Sequence, residues 1–293
     1  MSKISDYIEL EDWVKEIIVD PFSKEIMKEM EDHFLTSYGK KYLFIESSFY
    51  DFRIFHDKNI FSKLLLLWKD GQDEFEDEFD SSKINFKLYD GNRNYELIKK
   101  RDALVYDHIP IVGSCIDVGG FQGRIREYMD KDQLYLSVDP MLNVFDGIED
   151  SPNLIKYFPC VLQKVNFLCG YGEYLPIKSE SLDTVHMRSC IDHMFLPELA
   201  ILEAYRVLRN GGQIIIGCYV EGGKSGKDRS YFKTRIKQIL EKMNIERYID
   251  HHMWHPTYNE LCDLLKSNCF YIDKTYWQEG LDDKVCYVRG VKK

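Results

Sequence analysis

From residue 111 onward, short apolar runs recur at intervals that only a few architectures accommodate, and this recurrence constrains the fold more than any other feature of the chain. The runs fall at 111–118, 134–138 (closed by Asp139-Pro140), 165–168 and 182–187. A helical segment follows, with Ile201, Ala204, Tyr205 and Leu208 at helical spacing. Asn210-Gly211-Gly212 reads as its C-terminal turn, and 213–216 is a fifth and more continuously apolar strand. Strands that alternate with helices imply a parallel sheet covered on both faces. After a Gly-rich, charged connection at 221–229, a helix is expected over 230–245, then a His-rich stretch at 250–256. Thr257 and Glu260 form a capping box for a helix through Leu265. Two last strands, 271–277 and 284–291, lie so close in sequence around Gly280 that they must form a hairpin. The parallel sheet therefore ends in an antiparallel edge.

The first part of the chain is less regular. An apolar helical face over 11–19 is broken by Asp20-Pro21, and good helix formers predict a second helix over 23–34. Two short strands follow at 42–45 and 49–54, then a buried helix at 60–69, an acidic stretch at 70–80 and a helix over 92–108. The predicted organisation is a small N-terminal α+β module at 1–58, a helical linker or cap at 59–110, and a main domain at 111–293 carrying an insertion at 221–256.

Charge and cysteine usage narrow the function. The 293 residues carry a formal net charge of −10, without the Lys/Arg clustering that a nucleic-acid backbone or an anionic membrane requires. None of the eight cysteines lies in the first 114 residues, and no two form a C-x-x-C pair, so neither a zinc site nor a disulfide framework is expected. The N-terminus lacks the apolar core of a signal peptide, and no apolar run reaches the ~20 residues that span a bilayer. These features predict a soluble, cytoplasmic protein.

The chemical signal is Cys115-Ile116-Asp117-Val118-Gly119-Gly120-Phe121-Gln122-Gly123, which closes a strand and opens a helix. Backbone N–H groups can approach a ligand there, and glycine removes the Cβ atoms that would obstruct it. Asp139 ends the next strand, where a carboxylate can accept from both ribose hydroxyls of an adenosine-type cofactor. A carboxylate just before the first glycine would repel a diphosphate but suits the ammonium of a methionine moiety.

Three further phrases follow in order: Gly172-Glu173-Tyr174-Leu175-Pro176-Ile177, Ser181-Leu182-Asp183-Thr184-Val185, and Tyr205-Arg206-Val207-Leu208-Arg209-Asn210-Gly211-Gly212. With the glycine loop they resemble the motif ladder of class I S-adenosylmethionine-dependent methyltransferases, in particular small-molecule enzymes such as those of quinone biosynthesis. The resemblance spans about residues 95–291. It implies a Rossmann-like, seven-stranded, mostly parallel sheet with an antiparallel C-terminal hairpin, and S-adenosyl-L-methionine as cofactor. By resemblance, Asp117, Gly119, Gly120 and Gly123 line the methionine end, Asp139 and Pro140 the ribose, and Gly172 and Glu173 the adenine. Arg188, in the loop after the fourth strand, closes the pocket. The sequence departs from the pattern at Phe121, where a glycine is usual, and at Tyr171, where an aspartate often stands. The N-terminal Val19-Asp20-Pro21, Tyr42 and Tyr50-Asp51-Phe52-Arg53 more faintly resemble a small zinc-ribbon-like domain that accompanies some methyltransferases, here without any cysteine to bind zinc.

Methyl transfer needs donor and acceptor held in line and often the removal of one proton. Asp192-His193 offers a base with an acidic neighbour; the alternative is that His193 caps the following helix. His186 alternates within its strand and reads as a core residue. Arg188 is suited to an anionic acceptor, although a structural salt bridge is the commoner fate of a lone arginine. His251, His252, Trp254 and His255 read first as a wall of the acceptor pocket, with Tyr219 reaching the same space; plain packing ranks next and metal last, so no metal is expected. The resulting expectation is methyl transfer to oxygen or nitrogen of a small or carrier-linked molecule. A catalytically silent methyltransferase fold acting as a scaffold or regulatory partner is the competing reading.

Overall fold

The computed structural model describes residues 6–45, 49–53, 93–141, 143–145, 147–225, 252–280 and 283–293. The helices expected at 60–69 and 230–245 and the acidic stretch at 70–80 lie outside them.

Five apolar runs become parallel strands: β5 (Cys115–Val118), β6 (Tyr135–Asp139), β7 (Asn166–Cys169), β8 (Leu182–Arg188) and β9 (Leu208–Tyr219). The closing hairpin, β10 (Phe270–Trp277) and β11 (Val285–Lys292), pairs antiparallel and joins β9 antiparallel through β11. The order across the sheet is β10-β11-β9-β8-β5-β6-β7. The chain thus builds outward from β5 through β6 to β7, then returns to β8 on its other side. In an open α/β sheet such a reversal, at the carboxyl ends of the strands, is where ligands bind in a crevice.

The alternation of side chains across the sheet sorts the core into two layers. Ile116, Val118, Leu136, Val138, Val185 and Met187 face helices Pro197–Val207 and Tyr258–Ser267, which contribute Ala200, Ile201, Ala204, Leu261 and Leu265. The opposite face, with Cys115, Tyr135 and Phe167, meets Val105, Tyr106 and Ile109 of the helix Tyr95–His108. The capping box at Thr257 forms as expected, with Thr257 Oγ1 accepting from the Glu260 N–H and Glu260 accepting from the Thr257 N–H.

Two expectations are corrected. Asn210-Gly211-Gly212 is not a turn that ends the preceding helix. It lies inside β9, where the pairing with β8 slips between Leu182–Leu208 and Thr184–Gln213, and Gly211 takes φ +80° in this bulge. Residues 23–34 are not a helix but a turn followed by β1 (Lys28–Glu29) and β2 (His33–Leu35). The Asp20 carboxylate captures the Ser23 N–H and hydroxyl, and Lys24 is turned to φ +60°, a conformation no helix continues through. With β3 (Lys41–Ile45) and β4 (Phe49–Tyr50) these strands form an antiparallel sheet in the order β1-β2-β3-β4.

The N-terminal sheet covers the exposed edge of the main one. The Phe52 N–H donates to the Cys169 carbonyl at 2.7 Å, and bridges at Ile8–Val165 and Asp51–Cys169 continue the pairing beyond β7. Phe34, Tyr42 and Phe52 join the same core cluster as Val118 and Leu168.

Candidate active site

The glycine loop leaves β5 over a fully buried polar row. Ser137, Asp117 and His186 sit at adjacent register positions of β6, β5 and β8 and share one face of the sheet. Asp117 accepts from the Tyr135 hydroxyl at 2.8 Å and lies 2.7 Å from His186 Nδ1. His186 Nε2 is 3.0 Å from the Tyr106 hydroxyl. Burial holds the Tyr106 phenol far above its ordinary pKa, so it stays neutral, and the two ring nitrogens of His186 bridge Tyr106 and Asp117. His186 is thus a core residue, as its place in the strand predicts. The sequence expectation for Asp117 is a place beside the methionine end; in the structure its carboxylate lies 2% exposed beneath the loop, satisfied from both sides.

Above this row, Gly119 and Gly123 take φ +70° and +72°, conformations glycine tolerates best. Phe121, at the position where the resemblance calls for glycine, takes φ +49°. The backbone keeps the glycine-like turn and accepts a strain of roughly 1 kcal/mol to do so. Asp139 caps the arrangement from β6: its oxygens accept from the Phe121 and Met141 N–H groups at 3.2 and 2.9 Å. Pro140 continues the chain there, with its carbonyl accepting from Arg53 of the N-terminal segment at 3.4 Å.

The turn after β8 closes over the glycines. A Cβ on Gly119 would lie 2.6 Å from Cys190 Cβ, and one on Gly172 would lie 2.8 Å from Val118 Cγ1 and 2.9 Å from Met194 Cε. Cys190 also donates to the Val118 carbonyl at 3.1 Å. The segment from Cys190 to Met194 therefore packs directly on both glycine positions. Glu173 accepts from the Phe195 N–H at 2.8 Å and so anchors the end of this turn. Burial pushes its carboxyl above the ordinary range, against the opposing effect of those backbone donors.

Asp192 and His193 stand in the 3-10 turn Ile191–His193, within this closing segment. The Asp192 carbonyl accepts from the N–H groups of Met253 and Trp254 at 2.8 and 3.2 Å, which draws the His-rich stretch onto the turn. The His193 and His252 rings lie 4.3 Å apart, with His255 5.5 Å beyond His252. His252 Nε2 is 3.7 Å from Asp192 Oδ2. Tyr219 ends β9, half exposed, one residue before Val220 and two before Glu221, whose N–H donates to the Pro256 carbonyl. His251 lies outside the described residues.

Arg188 differs from the rest of the candidate set. Its guanidinium is held bidentately by Asp102 of the helix Tyr95–His108, at 2.6 and 2.7 Å, with Gln278 donating to the same carboxylate at 3.4 Å. The structure thus ties Arg188 into a salt bridge rather than leaving its fork to an acceptor or cofactor. Asp102, Tyr106, Tyr135 and Cys190 escaped the sequence reading. None stands in a motif, and each acquires its role from a partner far away along the chain.

The residues fit an S-adenosylmethionine-type ligand in one specific respect. Asp139 is a buried, acceptor-only group at the end of β6, a chemistry suited to donors such as ribose hydroxyls. Residues 116–216 match the family model described as a methyltransferase domain. Solved structures of similar fold include a SAM-dependent methyltransferase of Thermotoga maritima, 19% identical, covering 78% of this chain and 100% of the other with a TM-score of 0.47. Another is the 1,6-didemethyltoxoflavin-N1-methyltransferase of Burkholderia thailandensis with its toxoflavin precursor and S-adenosylhomocysteine bound, 14% identical over 75% of this chain and 87% of the other, TM-score 0.47. A third is the Haloferax volcanii complex of the Trm112 methyltransferase activator with a methyltransferase, 14% identical over 70% and 96%, TM-score 0.45.

The matched segment carries β5 through most of β9 and the glycine loop, the part of the fold that forms the crevice. The match identifies residues 116–216 as a methyltransferase domain, of the kind that uses S-adenosylmethionine.

Proposed function

We propose that the protein transfers a methyl group to an oxygen or nitrogen of a small or carrier-linked molecule in the cytoplasm. The observation that carries this reading is the packing of the Cys190–Met194 turn on Gly119 and Gly172 while the same turn holds Asp192 and His193 against His252. One segment thereby joins the cofactor-binding glycines to a cluster able to hold an acceptor and manage its proton. When bound, S-adenosylmethionine supplies an electrophilic methyl carbon on a sulfonium. The protein's part is alignment, exclusion of water and handling of the acceptor's proton. In this reading Asp117, Gly119, Gly120 and Gly123 frame the methionine end, Asp139 and Pro140 the ribose side, and Gly172 and Glu173 the adenine side. His193, beside Asp192, takes the acceptor's proton. Tyr219, His252, Trp254 and His255 form the acceptor wall, residues 221–256 act as the acceptor-pocket insertion, and residues 1–58 serve as an accessory cap on the β7 edge. Arg188 braces the pocket through Asp102.

A screen of phenols, amines and carrier-linked acceptors, read by release of S-adenosylhomocysteine, tests this. Turnover with at least one acceptor is expected, reduced about 100-fold or more in His193→Ala with cofactor affinity unchanged. A folded protein that binds the cofactor yet turns over none of these would favour the silent-scaffold reading.

A further inference from the structure

The Asp192 carboxylate poses a problem that its neighbours do not solve. Its side chain is only 10% exposed, and Oδ1 is buried with no hydrogen-bond partner among the described residues. An unsatisfied buried carboxylate oxygen is costly, and proteins relieve such atoms with a water, a cation or a bound group. His252 Nε2 stands 3.7 Å from the other oxygen, beyond hydrogen-bonding range. A second imidazole, His193, lies with its ring centre 4.3 Å from the first, the two planes tilted by 36°. Two imidazoles and a carboxylate form a ligand set for one divalent ion.

We propose that Asp192, His193 and His252 bind a divalent transition-metal ion, of the zinc or cobalt type, on the acceptor side of the crevice. One ligand atom from each residue lies within 4.8 Å of the others. Around a metal bound at about 2.1 Å, ligand atoms stand roughly 3–4 Å apart, so small side-chain rotations close the set. Two ligands come from a 3-10 turn, and the third is fixed against that turn by the two backbone N–H groups that the Asp192 carbonyl accepts. Three protein ligands leave positions for water or for an acceptor heteroatom, the arrangement of catalytic rather than structural sites. Spacing alone did not reveal the set, because its carboxylate and one imidazole lie on a different loop from the His-rich stretch. The inference deepens the reading of this cluster as the acceptor wall. With the ion bound, a coordinated acceptor hydroxyl would have a lowered pKa and would lose its proton to solvent water, His193 then serving as ligand in place of base.

The test is calorimetric titration of chelator-treated full-length protein with Zn²⁺, using a Cys269→Ser background to remove the exposed thiol. The visible spectrum of the Co²⁺ form gives an independent readout. One equivalent of metal is expected, weakened at least tenfold in both Asp192→Asn and His252→Gln, with altered Co²⁺ bands. Because His252 is 43% exposed at its side chain, His252→Gln is expected to fold. S-Adenosylhomocysteine affinity measured on the same variants should be unchanged, which separates loss of metal from failure of the cofactor site. Absence of zinc uptake by the folded protein, or uptake undiminished in both variants, would overturn the proposal.

Discussion

At the scale of single residues, the polar row beneath the glycine loop shows how a site can be braced by groups that never meet the ligand. His186 bridges Asp117 and Tyr106, all three buried, so replacing it with an apolar residue of similar size strands a carboxylate oxygen and a hydroxyl at once. Each stranded group costs about 1–3 kcal/mol. His186→Leu is therefore expected to lose about 3 kcal/mol in urea unfolding; a loss below about 1 kcal/mol would mean the row is not bonded as described. The placement of His186 in the core was legible from its alternation within an apolar run. Its partnership with Asp117, 69 residues away, was not, because pairing across strands depends on sheet order rather than on local pattern. The same holds for Arg188 and Asp102, 86 residues apart. A lone arginine at a strand end reads equally well as an anion binder or as half of a salt bridge until the facing helix is known.

At the scale of elements, the periodic runs from residue 111 were legible because strand, glycine turn and helix each leave a local mark. The segment after Asp20 was misread because its residues have good helix propensity, while one carboxylate redirects the backbone through side-chain hydrogen bonds. Tertiary context overrode propensity there. That carboxylate also links the N-terminal layer to pH. Burial raises the Asp20 pKa, but hydrogen bonds from Tyr38, Tyr42 and Ser23 outweigh it and hold the group at about 2, below its ordinary 3.8. A folded-state pKa below the unfolded one contributes stability that is present above about pH 4 and lost as pH falls toward 2. Asp20→Asn is expected to be less stable than the wild type at pH 7, with the gap in urea midpoint narrowing by pH 2.5. A gap of equal size at both pH values would contradict this account.

At the scale of the whole molecule, the order of strands decides where chemistry can occur. Reversal at β5 and β8 places the crevice, the glycine loop lines one lip, and the Cys190–Met194 turn closes the other while carrying the Asp192–His193 pair. The N-terminal segment seals the β7 edge. Among the described residues no helix is long and apolar enough to cross a membrane. All of this presupposes that the crevice holds its cofactor through the carboxylate at the end of β6. Calorimetric titration of S-adenosylhomocysteine into the wild type and Asp139→Ala tests that directly. The account predicts saturable binding to the wild type, weakened roughly 10- to 150-fold in the variant, as loss of hydrogen bonds to a charged group requires. A folded wild type that does not bind, or an Asp139→Ala variant that binds equally well, would contradict it.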